Sequence, residues 1–262
     1  MKYKICHTKN VARLAEAGDA LISRQPGMPG MGLLSGPTGY GKTVSVAWYA
    51  IQCRGVFVRA MANWSPSAML SSILRELDVE MNGTNADKTT RIIELLAQHQ
   101  RPVFIDEADY LVRSQMMMET LRDLHDLSNV PVILVGEEHM HRKLQGYTRL
   151  TRRLAQHVEF TGADIEDARI LADQLSEVTI ADDLLGDLHY AACAKKRGSN
   201  EAIGGASAGL IVVGLSRIEQ LARNKGIKTV AAKDWPRGAS FFEGAAPMPG
   251  PAGDVVKLRS GK

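Results

Sequence analysis

Cysteine, long apolar runs and a strong charge of either sign are all scarce in this 262-residue sequence. Its three cysteines, Cys6, Cys53 and Cys193, stand far apart, are odd in number and form no CxxC pair. That argues against a disulfide framework or a cysteine-based zinc site and fits a reducing compartment. No apolar run approaches the roughly 20 residues that cross a bilayer. The Gly/Ala-rich stretch Ala202–Ser216 carries no charge but is too short, and it reads as a buried helix. The opening "MKYKICHTKN" is polar and lacks a signal-peptide pattern. A net charge of +3 permits a polyanionic partner without demanding one. No internal repeat is present. These absences together predict a protein of the cytoplasm.

With 45% apolar and 23% charged residues, the chain can bury a sizeable core. Val11–Ser23 has helical periodicity and is followed by a Gly/Pro-rich hinge at Gly27–Gly32. Three short apolar stretches, "GLLS", "PVFIDEAD" and "VPVILVG", read as strands buried on both faces. "GVFVRAMA" and "HVEF" read as two further strands. Helical patterns lie between them, one entered through Ser65-Pro66. Strands alternating with helices imply a parallel sheet covered on both sides. After Gly162 the patterns turn helical with no convincing strand. The organisation expected is residues 1–30 as N-terminal helix and hinge, 31–161 as the sheet domain, 162–243 as a small helical domain and 244–262 as a basic tail.

The most specific motif is "SGPTGYGKTVS". Gly36, Gly41, Lys42 and Thr43 match G-x-x-x-x-G-K-[ST], with Pro37, Thr38, Gly39 and Tyr40 completing the loop between a strand and a helix. Glycines let successive backbone N–H groups turn inward around an anion, and the helix N-terminus adds its dipole. Lys42 is placed to reach the β- and γ-phosphates, and Thr43 to ligate Mg²⁺. This loop is expected to bind a nucleoside triphosphate.

Val103–Ile105 delivers Asp106 and Glu107 to the end of a buried strand. An aspartate there can orient Mg²⁺, partly through water, and a glutamate can polarise an attacking water. "DEAD", Asp106–Asp109, also spells a helicase signature, but no second set of helicase motifs follows. Asp109 reads as a helix cap or ion-pair partner.

Arg142–Arg153 carries five basic and no acidic residues just before the last strand. An arginine there can complete a neighbour's phosphate site; Arg153 is the first choice and Arg149 the second. The alternative is a solvated basic face or a nucleic-acid contact. Met116–Met118 reads as packing, and Glu137, Glu138, His139 and His141 as a surface turn rather than a metal site. Trp64 with Arg59 offers either stacking and charge toward DNA or a helix-entry contact. Lys195, Lys196, Arg197 and the tail's Lys257, Arg259 and Lys262 are candidate phosphate contacts.

With these features in hand, the chain resembles the AAA+ ATPases over roughly residues 8–235. Within them, "VFIDEADYL", "VILVGEEHMHRKL" and "RLTRRLAQHVEF" resemble the branch containing the phage Mu B transposition protein, the target-selector ATPases of bacterial transposons and the secretion ATPase ExeA. The resemblance implies a P-loop αβα sandwich with a five-strand parallel sheet, followed by an all-helical lid. It implies ATP and Mg²⁺ as cofactors and Asp106 and Glu107 as the acidic pair. Glu137 stands where such proteins carry a polar sensor. Gly204–Ser207 occupies the region where the lid usually offers an arginine, and Arg217 lies further along, so slow hydrolysis is expected. The function implied is ATP-dependent, non-sequence-specific binding of duplex DNA by a homo-oligomer, ring or filament, that presents target DNA to a transposase in a bacterial cell. Two other readings stand beside it: a regulatory, protein-binding ATPase without a DNA partner, and a small-molecule phosphotransferase.

Overall fold

The computed structural model describes residues 1–2, 4–195 and 202–242, and it divides into two units. The larger runs from Asn10 to Phe160; the smaller combines residues 1–9 with those from Thr161 onward. The expected tail 244–262, with Lys257, Arg259 and Lys262, lies outside the described residues, as do Lys196 and Arg197.

The larger unit is a five-stranded parallel sheet in the order β2-β3-β4-β1-β5. Its strands are β1 (Met31–Ser35), β2 (Val56–Arg59), β3 (Val103–Asp106), β4 (Val132–Val135) and β5 (Leu154–Glu159). Every residue of β1, β3 and β4 is buried. That burial is why these strands read as unbroken apolar runs instead of alternating ones. The helices of this unit are α1 (Lys9–Ile22, entered at Lys9 of the smaller unit), α2 (Lys42–Gln52), α3 (Pro66–Glu76), α4 (Asn85–His99) and α5 (Gln115–Ser128). Two short turns of helix, α6 (Met140–Leu144) and α7 (Thr148–Thr151), precede β5. Met69, Ile73, Ile92, Leu96, Leu121 and Leu124 join the strands in one apolar core.

The helix starts differ in a way that matters later. Ser65 caps α3 by accepting from Ala68 N–H, with Pro66 at the first helical position. Thr84 and Asp87 form a reciprocal capping box on α4, and Ser114 caps α5. α2 has no side-chain cap; Gly41 precedes it in a left-handed conformation.

The smaller unit packs α8 (Ile165–Leu175), α9 (Asp182–Ala192) and α10 (Ala208–Lys225) around Leu171, Leu184, Leu188, Ile211, Leu215 and Ile218. It departs from the all-helical expectation in carrying two short strand pairs. Thr179–Ile180 pairs in parallel with Thr229–Val230. Cys193–Lys195 pairs in antiparallel with Ala202–Ala206. Strands of two to five residues, one of them containing Gly204-Gly205, leave no alternating pattern to read. Ala202–Ser216 is accordingly a strand followed by a helix, not one helix. Residues 1–9 also differ from expectation. The Lys2 N–H donates to Leu175 O at 2.8 Å, and Cys6 is buried in this unit's core. Their partners lie more than 150 positions away, beyond the reach of local periodicity. Among the described residues, no helix is long and apolar enough to cross a membrane.

α1 and α2 approach closely at Gly18. A Cβ built there would sit 2.3 Å from the Tyr49 ring, and Tyr49 is held in place by donating its hydroxyl to Asp19 at 2.7 Å. A Gly18→Val variant is therefore expected to lose about 1–3 kcal/mol through overpacking, read as a lower urea midpoint.

Candidate active site

The loop from Gly36 to Gly41 joins the C-terminal end of β1 to α2. Gly36, Gly39 and Gly41 have φ of 153°, 84° and 87°, values that side-chain-bearing residues rarely adopt. At Gly36 a Cβ would also meet Phe160 O at 2.7 Å, so the end of β5 closes over the root of the loop. Because α2 lacks a side-chain cap, its start and positive dipole end serve the loop. The Lys42 ammonium folds back and donates to Gly36 O at 2.6 Å and Pro37 O at 2.9 Å. Burial pushes its pKa down, opposed by the carboxylates of Glu107, Asp106, Glu137 and Asp109. Tyr40 is buried, while Thr38 and Gly39 face outward.

Asp106 ends β3 and is buried to 1% exposure. The Thr43 hydroxyl donates to its Oδ2 at 3.0 Å. Burial raises the Asp106 pKa, and the Thr43 bond works against that rise. A hydroxyl and a carboxylate oxygen brought together beside an anion-binding loop are the hard oxygen donors that Mg²⁺ takes, with water completing its shell. The residues present therefore fit a magnesium–nucleotide complex.

Glu107 follows in a left-handed conformation, φ 54°. For a residue with a side chain this costs on the order of 1 kcal/mol or more. Its carboxylate is only partly exposed and is held by Arg59 Nη2 at 3.0 Å, while Arg59 Nε lies 3.7 Å from Asp106 Oδ2. The β2–β3 register pairs Arg59 directly with Asp106. Arg59, a candidate DNA contact, also ties the two acids together. Trp64 is half-buried and packs against the core, which fits the helix-entry alternative.

Glu137 follows β4. Its N–H donates to Asp109 Oδ2 at 2.7 Å, and its carboxylate is largely exposed, 3.9 Å from Lys143. Asp109 also receives the Lys143 ammonium at 2.7 Å. Asp109 is therefore an ion-pair partner that joins the turn after β3 to the turn after β4.

Arg153 grips Asp126 of α5 through Nε at 2.7 Å and Nη2 at 3.1 Å, a two-pronged pair within its own chain. Arg149 is exposed and has no partner among the described residues. Lys195 ends the short strand Cys193–Lys195 in the smaller unit.

One feature of the site has no motif. Ser35, the last residue of β1, is buried and bonded through Oγ to His157 Nε2 at 2.9 Å. The His157 ring stacks on His141, centroids 4.9 Å apart and 12° from parallel. Its pKa is lowered, first by burial and then by His141, with Glu159 opposing. The unfolded chain therefore takes up the proton first as pH falls. Stability present above about pH 6.5 is lost below it. The urea midpoint is expected to decline from about pH 6.5 downward, and His157→Gln to flatten part of that decline; His125, also lowered by burial, supplies the remainder.

Residues 27–144, a little under half of the chain, match the family model described as an AAA domain. Among solved structures, the chain is similar to Cdc6p from Pyrobaculum aerophilum, with TM-score 0.64 and 16% identity over 86% of this chain and 64% of that one. It is similar to the ORC2 protein of Aeropyrum pernix in its ADPNP–ADP complexes, with TM-score 0.66 and 13% identity over 89% of this chain and 68% of that one. It is also similar to the Aeropyrum pernix ORC1 protein in complex with DNA, with TM-score 0.62 and 14% identity over 88% and 64%. The chain thus spans about two thirds of the length of these proteins. No curated protein sequence matches. The fold is the P-loop AAA+ α/β fold.

Proposed function

We propose that this protein is a magnesium-dependent ATPase whose nucleotide state governs its assembly on duplex DNA. The observation that carries the nucleotide part is the 3.0 Å contact of Thr43 with Asp106 beside a complete phosphate loop. On ATP binding, Lys42 exchanges the carbonyls of Gly36 and Pro37 for phosphate oxygens. Loop N–H groups hold the polyphosphate, and Thr43 and Asp106 hold Mg²⁺, which supplies charge neutralisation on the phosphates. Glu107 polarises the attacking water once its carboxylate is directed away from Arg59. An arginine of a neighbouring protomer, Arg149 in preference to Arg153, completes the site.

DNA binding is supported by the exposed basic stretch Arg142–Arg152 and by the likeness to an ORC1 protein captured with DNA. The narrower reading, capture of target DNA for a transposase, rests on the sequence resemblance to the Mu B branch. A DNA-independent regulatory ATPase is the rival, and the two part on whether duplex DNA stimulates hydrolysis.

Lys42→Ala is expected to abolish the calorimetric heat of Mg-ATP binding and ATP-dependent DNA binding together. DNA binding that persists unchanged in this variant would separate the two activities and defeat the coupling. Arg149→Ala is expected to lower DNA-stimulated kcat about 10³-fold or more while leaving ATP affinity within a few-fold. Arg153→Ala, which breaks an intrachain pair, is expected to lower thermal stability instead.

A further inference from the structure

Between β2 and β3 the chain inserts two helices, α3 and α4, packed on one another. Lys88 of α4 lies in their seam with only 8% of its surface exposed. Its ammonium donates to two hydroxyls of α3, Ser67 Oγ at 3.0 Å and Ser71 Oγ at 2.9 Å. Among the described residues no carboxylate lies within ion-pair distance of it. A nearly buried ammonium served only by neutral hydroxyls is costly unless a negative charge joins it.

The hydroxyls sharpen the point. Each serine spends an oxygen lone pair on Lys88, so its own O–H must be directed elsewhere. Ser45, Thr89, Thr120 and Ser128 donate theirs to the carbonyl one helical turn back. Ser67 and Ser71 make no such bond among the described residues, and neither O–H has another acceptor there. Ser67 is also the second residue of α3, and its backbone N–H is one of the first-turn donors that a helix cannot satisfy itself. The Ser65 cap is spent on Ala68.

Both hydroxyls lie within 3.0 Å of one nitrogen, which gathers the remaining ammonium proton and two hydroxyl protons in one place. A water molecule accepts two hydrogen bonds; an oxyanion accepts all three and supplies the missing charge. Ser71 also lines a cavity of about 390 Å³ whose wall holds Arg75, one turn further along α3, and Glu80.

We propose that Lys88, Ser67 and Ser71 form a second anion site, separate from the Gly36–Thr43 loop, that takes a phosphate group. Two sources share this chemistry, a free phosphate ion and a diester of a nucleic-acid backbone. The site stands independently of the ATPase reading.

The test uses the full chain in two arms. In the first, Lys42→Ala silences the loop, and thermal stability is followed against inorganic phosphate at constant ionic strength set with chloride. Stability is expected to rise with phosphate. Apparent affinity is expected to fall about tenfold or more when Lys88→Met is added, and likewise when Ser67→Ala and Ser71→Ala are added together. The serine pair preserves the packed lysine, so it answers the question if Lys88→Met fails to fold. In the second arm Lys42 is left intact, and duplex DNA binding is measured against salt with Mg-ATP present. A slope of log affinity against log salt reduced by about one in the variants assigns the phosphate to the nucleic-acid backbone. A loss confined to the first arm assigns it to free phosphate. Variants that match their parents in both arms overturn the site.

Discussion

The 3.0 Å bond from Thr43 to Asp106 is the contact on which the rest of the larger unit depends. It joins the first turn of α2 to the end of β3, two elements separated by 63 positions. It can form only because β4 brings β1 and β3 to either side of itself with their C-terminal ends level. In parallel sheets the crevice beyond the carboxyl ends is where ligands collect. Here that crevice holds a helix start without a side-chain cap and, opposite it, buried acids. The apolar core beneath consists of the continuous strands that make such a level edge possible.

Charge in the crevice is arranged in opposition. Lys42 is buried enough for its ammonium to be disfavoured, yet four carboxylates, those of Glu107, Asp106, Glu137 and Asp109, act to keep it charged. Arg59 offsets two of those acids from the side away from the loop. Two cations thus face four carboxylates, an excess of negative charge that a divalent cation entering with the polyphosphate offsets. The cost of burying either alone is avoided.

The parts of this arrangement that were legible in the sequence are those whose partners lie close along the chain. The loop glycines, Lys42 and Thr43 fall within eight residues, and Asp106-Glu107 sits at the end of an apolar run; spacing alone carries both. The parallel sheet class followed from alternation of the two periodicities; the strand order came only with the structure. The pairing of Arg59 with the two acids was not legible because it rests on register with Asp106, which no local pattern records. The pairing of Arg153 was hidden because Asp126 lies a strand and two short helices away in sequence. The Ser35–His157–His141 stack draws one residue from each of β1, β5 and α6, and Lys88 meets its serines across two helices. Such contacts come from tertiary packing, and a single sequence does not print them.

Asp109 has a mechanical meaning. By accepting from the Glu137 amide and from Lys143 at once, it rivets the loop behind one strand to the loop behind its neighbour. Glu107 sits two residues upstream of that rivet in a backbone conformation with little slack. The turn that carries Glu137 and the segment that carries Glu107 are therefore clamped to one another through a single carboxylate.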